Sequence, residues 1–176
     1  AGVSASVEVD LMVPDAVGGP GRRAARLPGH AKEVARKTRG LEAALIDKHV
    51  VTMGGLDPAD VRAFEVAIAG PTALLIAKAH KIAERVAERE HRRLEDKDAL
   101  DMLRLLQATE TAELAGVVRT LLQADVAREV TREALAILHE HFTDARAAGP
   151  QMAVRAAGAL MPADVVAASC AALTSD

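Results

Sequence analysis

The change of periodicity at Gly70-Pro71 constrains this chain most. Before it, short β-prone runs alternate with Gly- and Pro-rich breaks; after it, apolar residues recur at helical spacing almost to the end. The expected class is therefore α+β, with residues 1–70 as a strand-rich portion and 71–176 as a helical region packed on it. A chain of 176 residues suffices for one domain, or one domain with a small appendage. Phe64 and Phe142 are its only aromatic residues, so the core must be built from Ala, Leu, Val, Ile and Met. The same scarcity argues against aromatic stacking platforms for bases or sugars.

In the first portion, Val3, Ala5, Val7, Val9, Leu11 and Val13 alternate with Ser4, Ser6, Glu8, Asp10 and Met12. That period of two predicts a half-buried strand over 3–13, ended by Pro14. VGGPGRR, residues 17–23, reads as a turn or surface loop. Residues 31–39 read as a short basic helix stopped at Gly40. Leu41–Ile46, His49–Met53 and Phe64–Ala69 read as strands, with a turn at Asp57-Pro58. Beyond Pro71, Leu75, Ala79, Ile82 and Val86 form an apolar helical stripe. Asp96 is placed to cap a second helix that buries Ala99, Met102, Leu103 and Leu106. Further helices are expected over 111–123, 126–142, 151–160 and 163–173.

Charge and cysteine content exclude several classes. A formal net charge of -3 does not describe a general nucleic-acid binder. Arg22, Arg23, Lys32, Arg36, Lys37 and Arg39 nonetheless cluster early, where local RNA contact or plain solvation would each account for them. The single Cys170 excludes an intramolecular disulfide scaffold and reads as an inert packing thiol. No run approaches the roughly 18–20 apolar residues of a membrane span. The N-terminal stretch lacks the basic region of a signal peptide, so a cytoplasmic protein without membrane contact is the expectation.

Three groups of residues could carry chemistry. Glu8 and Asp10, two apart on a strand, point to one side and could hold a divalent cation through hard oxygen ligands; a solvent-facing polar edge is the plainer account. Lys78, Lys81 and Arg85 form a basic stripe beside the apolar face of their helix, suited to neutralising a phosphate or to pairing with Glu84 and Glu88. Asp98 and Asp101 lie three apart at the start of the next helix. Asp101 sits too deep for capping, so it needs a cationic partner, which Lys78, Lys81 or Arg85 could supply. His139 and His141, two apart on a helix, face different sides and do not make a metal pair. The phosphate-binding G-x-x-x-x-G-K-[ST], G-x-G-x-x-G and G-x-S-x-G patterns are absent from the chain.

Taken together, SVEVDLMVP, a Gly/Arg loop, VAIAGPTALLIAKAHKIAERV and LEDKDALDMLRLL resemble the later part of bacterial nucleotidyltransferase-fold proteins, of the AbiEii-toxin and minimal nucleotidyltransferase type, over residues 6–108. The resemblance implies a partial nucleotidyltransferase-like mixed or antiparallel sheet followed by a helical C-terminal bundle. It implies transfer of a nucleotidyl group from an NTP, with Mg2+, to an acceptor that could be RNA or protein, and it raises membership of a toxin–antitoxin pair. Asp10 matches the family's later strand carboxylate, with Glu8 beside it as a metal ligand. Lys78 matches the lysine that meets nucleotide phosphates, and Arg85 the arginine of that helix, with Lys81 between them. Lys97-Asp98 and Asp101 match the K-D-x-x-D segment, which organises the pocket.

The family's leading G-S…D-x-D motif, which would supply two further metal-binding carboxylates, is missing from this sequence. Two-metal transfer needs ligands on both reacting oxygens. The expectation is therefore that the chain is a fragment or a degenerate relative, inactive alone, unless a second copy or a partner protein completes the site. The competing reading is a helical interaction or regulatory module without catalysis, built on residues 110–173.

Overall fold

The computed structural model describes residues 9–21, 23–31, 34–88 and 96–175. These fall into two compact units, 1–39 and 40–176. A small β region precedes a bundle of helices, an α+β architecture.

In the first unit, strand β1 (Met12–Pro14) leads into a 3-10 turn, Asp15–Val17, and pairs in parallel with strand β2 (Arg36–Thr38). The ammonium of Lys37 organises the glycine-rich loop between them. Its Nζ donates to the carbonyls of Gly19 (2.8 Å) and Gly21 (3.0 Å) and lies 2.9 Å from Asp15 Oδ1. Three oxygens thereby answer the three donors of a nearly buried lysine. The helix expected over 31–39 is not what the described residues form. Its backbone is committed elsewhere: Arg36 N donates to Leu11 O, Lys37 N to Arg23 O, and Ala35 O accepts from Ala25 N. Of the strand expected over 3–13, residues 3–8 lie outside the described residues, and pairing begins at Met12.

The second unit opens with a correction. Leu41–Ile46 was expected as a strand, but Leu41–Leu45 is a 3-10 helix. Gly40 enters it in the left-handed region at φ 93°, and the Glu42 carboxylate turns back to accept the Gly40 N–H at 2.8 Å. A short apolar run does not by itself distinguish strand from helix, and local hydrogen bonding decided it here. Strands β3 (Lys48–Gly54) and β4 (Ala63–Ala69) then form an antiparallel ribbon, with Val51 opposite Val66 and Met53 opposite Phe64. Its tip is tied by Asp57, which accepts the Ala59 N–H, and by the Asp60–Arg62 ion pair. That guanidinium holds the Asp60 carboxyl below the usual carboxylate range.

Among the described residues six α-helices follow: α1 (Pro71–Glu88), α2 (Lys97–Ala108), α3 (Thr111–Gln123), α4 (Asp125–Phe142), α5 (Ala148–Ala157) and α6 (Ala163–Ser175). Pro71 begins α1 because its fixed φ suits the first turn and its missing N–H is not needed there. The free donors of that turn are met from a distance: Asp47 Oδ2 accepts the Ala73 N–H at 2.8 Å. A Cβ at Gly70 would collide with the Asp47 carboxylate and force it to shift. The core gathers Ile82, Met102, Leu103, Leu121, Phe142, Met152 and Val166, with α2 on α5, α5 on α6 and α4 on both α1 and α3. Phe142 is its largest side chain and lies against Gly149, where a Cβ would strike the ring. Its burial contributes about 2–3 kcal/mol.

Candidate functional site

Residues i, i+3 and i+7 share one helical face, so Lys78, Lys81 and Arg85 leave α1 on the same side. Helix α2 turns its first two turns toward that side. Asp98 lies in its first turn, where the helix dipole favours a negative charge, and Asp101 lies one turn on. Lys78 Nζ reaches both carboxylates, at 3.1 Å from Asp98 Oδ1 and 3.0 Å from Asp101 Oδ2. Arg85 Nη2 takes the other Asp98 oxygen at 2.9 Å, and Arg104 Nη1 takes the other Asp101 oxygen at 3.1 Å.

The result is a chain of alternating charge, Arg85–Asp98–Lys78–Asp101–Arg104, that joins α1 to α2. Exposure rises along it: the side chains of Asp98 and Arg85 are 13% and 14% accessible, that of Lys78 22%, and that of Arg104 64%. Within this chain of described residues three cations alternate with two anions. Several donors of the corner remain uncommitted among the described residues. An ammonium carries three N–H bonds and Lys78 uses two on carboxylates; Arg85 Nη1 is buried with no partner among the described residues. Both oxygens of Asp98 and both of Asp101 already accept from cations. Both carboxylates of the corner are thus answered within the protein.

Lys81 does not join this chain. It turns along its own helix to Glu84, at 2.9 Å. Asp10 belongs to the other compact unit, just ahead of β1, where it is exposed and 3.4 Å from Arg36 Nη2. Glu8 lies outside the described residues. Asp10, exposed and answered by a guanidinium, does not fit a magnesium centre by itself. Among the described residues, no group of three or more His, Cys, Asp or Glu could hold a metal ion. None of their helices is long and apolar enough to cross a membrane.

Other groups lie away from this corner. Asp96, expected as the cap of α2, makes no side-chain cap bond. It is instead buried and accepts two hydrogen bonds from Arg155, Nε at 2.7 Å and Nη2 at 3.2 Å. His80 is buried, with Nε2 2.9 Å from Val130 O and Nδ1 3.9 Å from Glu133 Oε2. An open groove of about 470 Å³ between α4 and α6 is lined by Leu135, Leu138, His139, Thr143, Thr174 and Ser175. Its three hydroxyls all donate to carbonyls of their own helices' preceding turns, so they do not converge on a ligand. Cys170 is buried, and desolvation pushes its thiol up to about 11, in keeping with a packing role.

No family model matches this chain, and no curated protein and no solved structure matches it.

Proposed function

We propose that the corner between α1 and α2 binds the phosphates of a nucleoside triphosphate, as part of a nucleotidyltransferase-related protein. The observation that carries this reading is Lys78 Nζ held between Asp98 and Asp101, with a third N–H uncommitted. A lysine fixed by two carboxylates loses little conformational freedom on meeting a phosphate. Arg85 Nη1 offers a second donor nearby in the same charge chain. Lys78 and Arg85 are then the ligand-binding residues. Asp98 and Asp101 act as positioning residues that aim the ammonium.

In a nucleotidyltransferase of this kind the reaction would be in-line attack by an acceptor hydroxyl on the α-phosphate, with Lys78 offsetting charge on the phosphates. The family's magnesium would supply polarisation of those phosphates. No step is assigned to it through this chain's residues, since Asp10 alone does not fit such a site. This chain by itself is expected to bind nucleotide without transferring it.

Calorimetric titration with ATP, GTP, CTP and UTP tests the reading, alongside an assay for label transfer to added RNA and protein. The expected result is saturable binding that weakens by roughly tenfold in Lys78→Gln, with no transfer. Absence of binding by the folded chain overturns it, as does full binding by Lys78→Gln.

A further inference from the structure

We infer that the first compact unit, residues 1–39, docks on the phosphate backbone of double-stranded RNA through the basic surface of its 22–39 stretch. The charge of this chain is divided unevenly between its two units. Residues 1–39 hold seven Lys and Arg against four Asp and Glu; residues 40–176 hold fifteen against twenty-one. A formal net charge of -3 thus conceals one unit of +3 and one of -6. The seven cations fall within positions 22–39, a stretch whose single acid is Glu33. Positive charge concentrated on one small unit is the electrostatic footprint of a surface for a polyanion.

Packing separates the cation that holds the unit together from those left for a ligand. Lys37 is nearly buried and spends its ammonium on Gly19, Gly21 and Asp15. Arg23 and Arg26 are exposed, and neither makes an ion pair among the described residues. Their backbone is nonetheless fixed: Lys37 N donates to Arg23 O at 2.7 Å, and Arg26 N to Gly18 O at 2.9 Å. Arg36 lies opposite Ala24 across a β-bridge, so the two share a side. Ala25 and Ala35 are buried on the other side, which sends Arg26 out with Arg36. Arg36 meets Asp10 at 3.4 Å, with both side chains more than half exposed. Such a pair contributes little, so a phosphate oxygen can take the place of Asp10.

The chemistry of the unit selects among polyanions. Residues 1–39 contain no Phe, Tyr or Trp, so the bases of a single strand have no ring to stack on. The described residues of the unit form no α-helix, and its strands are three residues long, too short to enter the major groove of B-DNA and read base edges. Phosphates along the wide, shallow minor groove of A-form RNA are open to arginine forks standing on a small rigid surface. Contact of this kind is independent of sequence and sensitive to salt. This inference does not depend on nucleotide binding at Lys78.

Fluorescence anisotropy tests it, with the full chain titrated into a labelled RNA duplex of about 20 base pairs and, in parallel, into a DNA duplex and an RNA single strand of matching sequence. The expected result is saturable micromolar binding of the RNA duplex at about 50 mM salt, weakening roughly 40-fold by about 200 mM, as three phosphate contacts require. Arg23→Gln/Arg26→Gln should bind at least tenfold more weakly and show a shallower salt dependence, with an unchanged melting temperature. Arg119→Gln/Arg132→Gln removes the same charge from exposed positions of α3 and α4 and should bind as wild type. Absence of binding by the folded chain at about 50 mM salt overturns the inference and leaves the surface to an acidic protein. Equal affinity for the DNA duplex or for the single strand overturns it too. So does undiminished binding by the Arg23/Arg26 variant, or an equal loss in the Arg119/Arg132 variant.

Discussion

Arg155 closes a two-pronged hydrogen bond on Asp96 across 59 positions of sequence, and the carboxylate it grips is 2% exposed. The pair ties the start of α2 to α5, two helices that pack directly on each other. Removing one partner of a buried pair strands the other charge, a cost of about 3–5 kcal/mol when both are buried. Arg155 is partly solvated, so Arg155→Ala should cost less, about 1–3 kcal/mol. Urea unfolding followed by circular dichroism measures this. A loss below the scatter of the wild-type curve would mean that water already satisfies Asp96.

Helix α1 begins on a donor–acceptor contact supplied by Asp47, which lies outside the helix. Asp47→Ala should therefore destabilise the chain by about 1 kcal/mol, as loss of a helix cap does. Asp47→Asn keeps an oxygen for the Ala73 N–H and should recover most of that loss. Thermal unfolding of both variants checks the pair. Equal melting temperatures for the two would show that charge, not the hydrogen bond, is what matters at this position.

Burial raises the Cys170 thiol to about 11 from an ordinary value of 9.0. Between those values the unfolded chain loses its thiol proton while the folded chain keeps it. Stability is therefore full below pH 9 and falls as pH rises through this window, by about 2–3 kcal/mol for a shift of this size. Cys170→Ala removes this dependence, so melting temperature should fall more steeply for wild type than for the variant between pH 9 and 11. A thiol reagent at pH 8 should react only after unfolding. Parallel pH curves for the two proteins would contradict the assignment.

The helical half was largely legible because its signal is local. The 3.6-residue recurrence of Leu75, Ala79, Ile82 and Val86 marked the inner face of α1, and Ala99, Met102 and Leu103 marked that of α2. The Gly/Pro break fixed where α1 starts. In the first 47 residues the deciding contacts are distant or concern the backbone. Residues 34–38 look helical by composition, but Leu11, Arg23 and Ala25 claim their backbone groups. Leu41–Leu45 looks like a strand until the Glu42 carboxylate is seen to turn back on Gly40.

The α1–α2 corner was half legible for the same reason. Helical spacing put Lys78 and Arg85 on one face, and the depth of Asp101 in its helix demanded a cation. Spacing could not separate Lys81, which turns to Glu84, from Lys78, which crosses to α2. Nor could it show Asp96 leaving the cap position for Arg155, since that partner lies in another helix.

Gly149 permits the close approach of α5 to the Phe142 ring. Gly149→Ala should cost about 1–3 kcal/mol, because the added methyl has no space to enter without moving a fully buried aromatic side chain. Chemical denaturation measures the loss. A variant as stable as wild type would show that the Phe142 side chain can repack.

The central claim is that Lys78, aimed by Asp98 and Asp101, receives nucleotide phosphate. Its most direct test is an ATP titration of the uniformly 15N-labelled chain, read from backbone amide shifts up to about 1 mM, where even weak specific binding registers. The account predicts saturating shifts confined to residues around Lys78, Arg85, Asp98 and Asp101, and their loss in Lys78→Gln. Amides that stay fixed at that corner throughout the titration would contradict it.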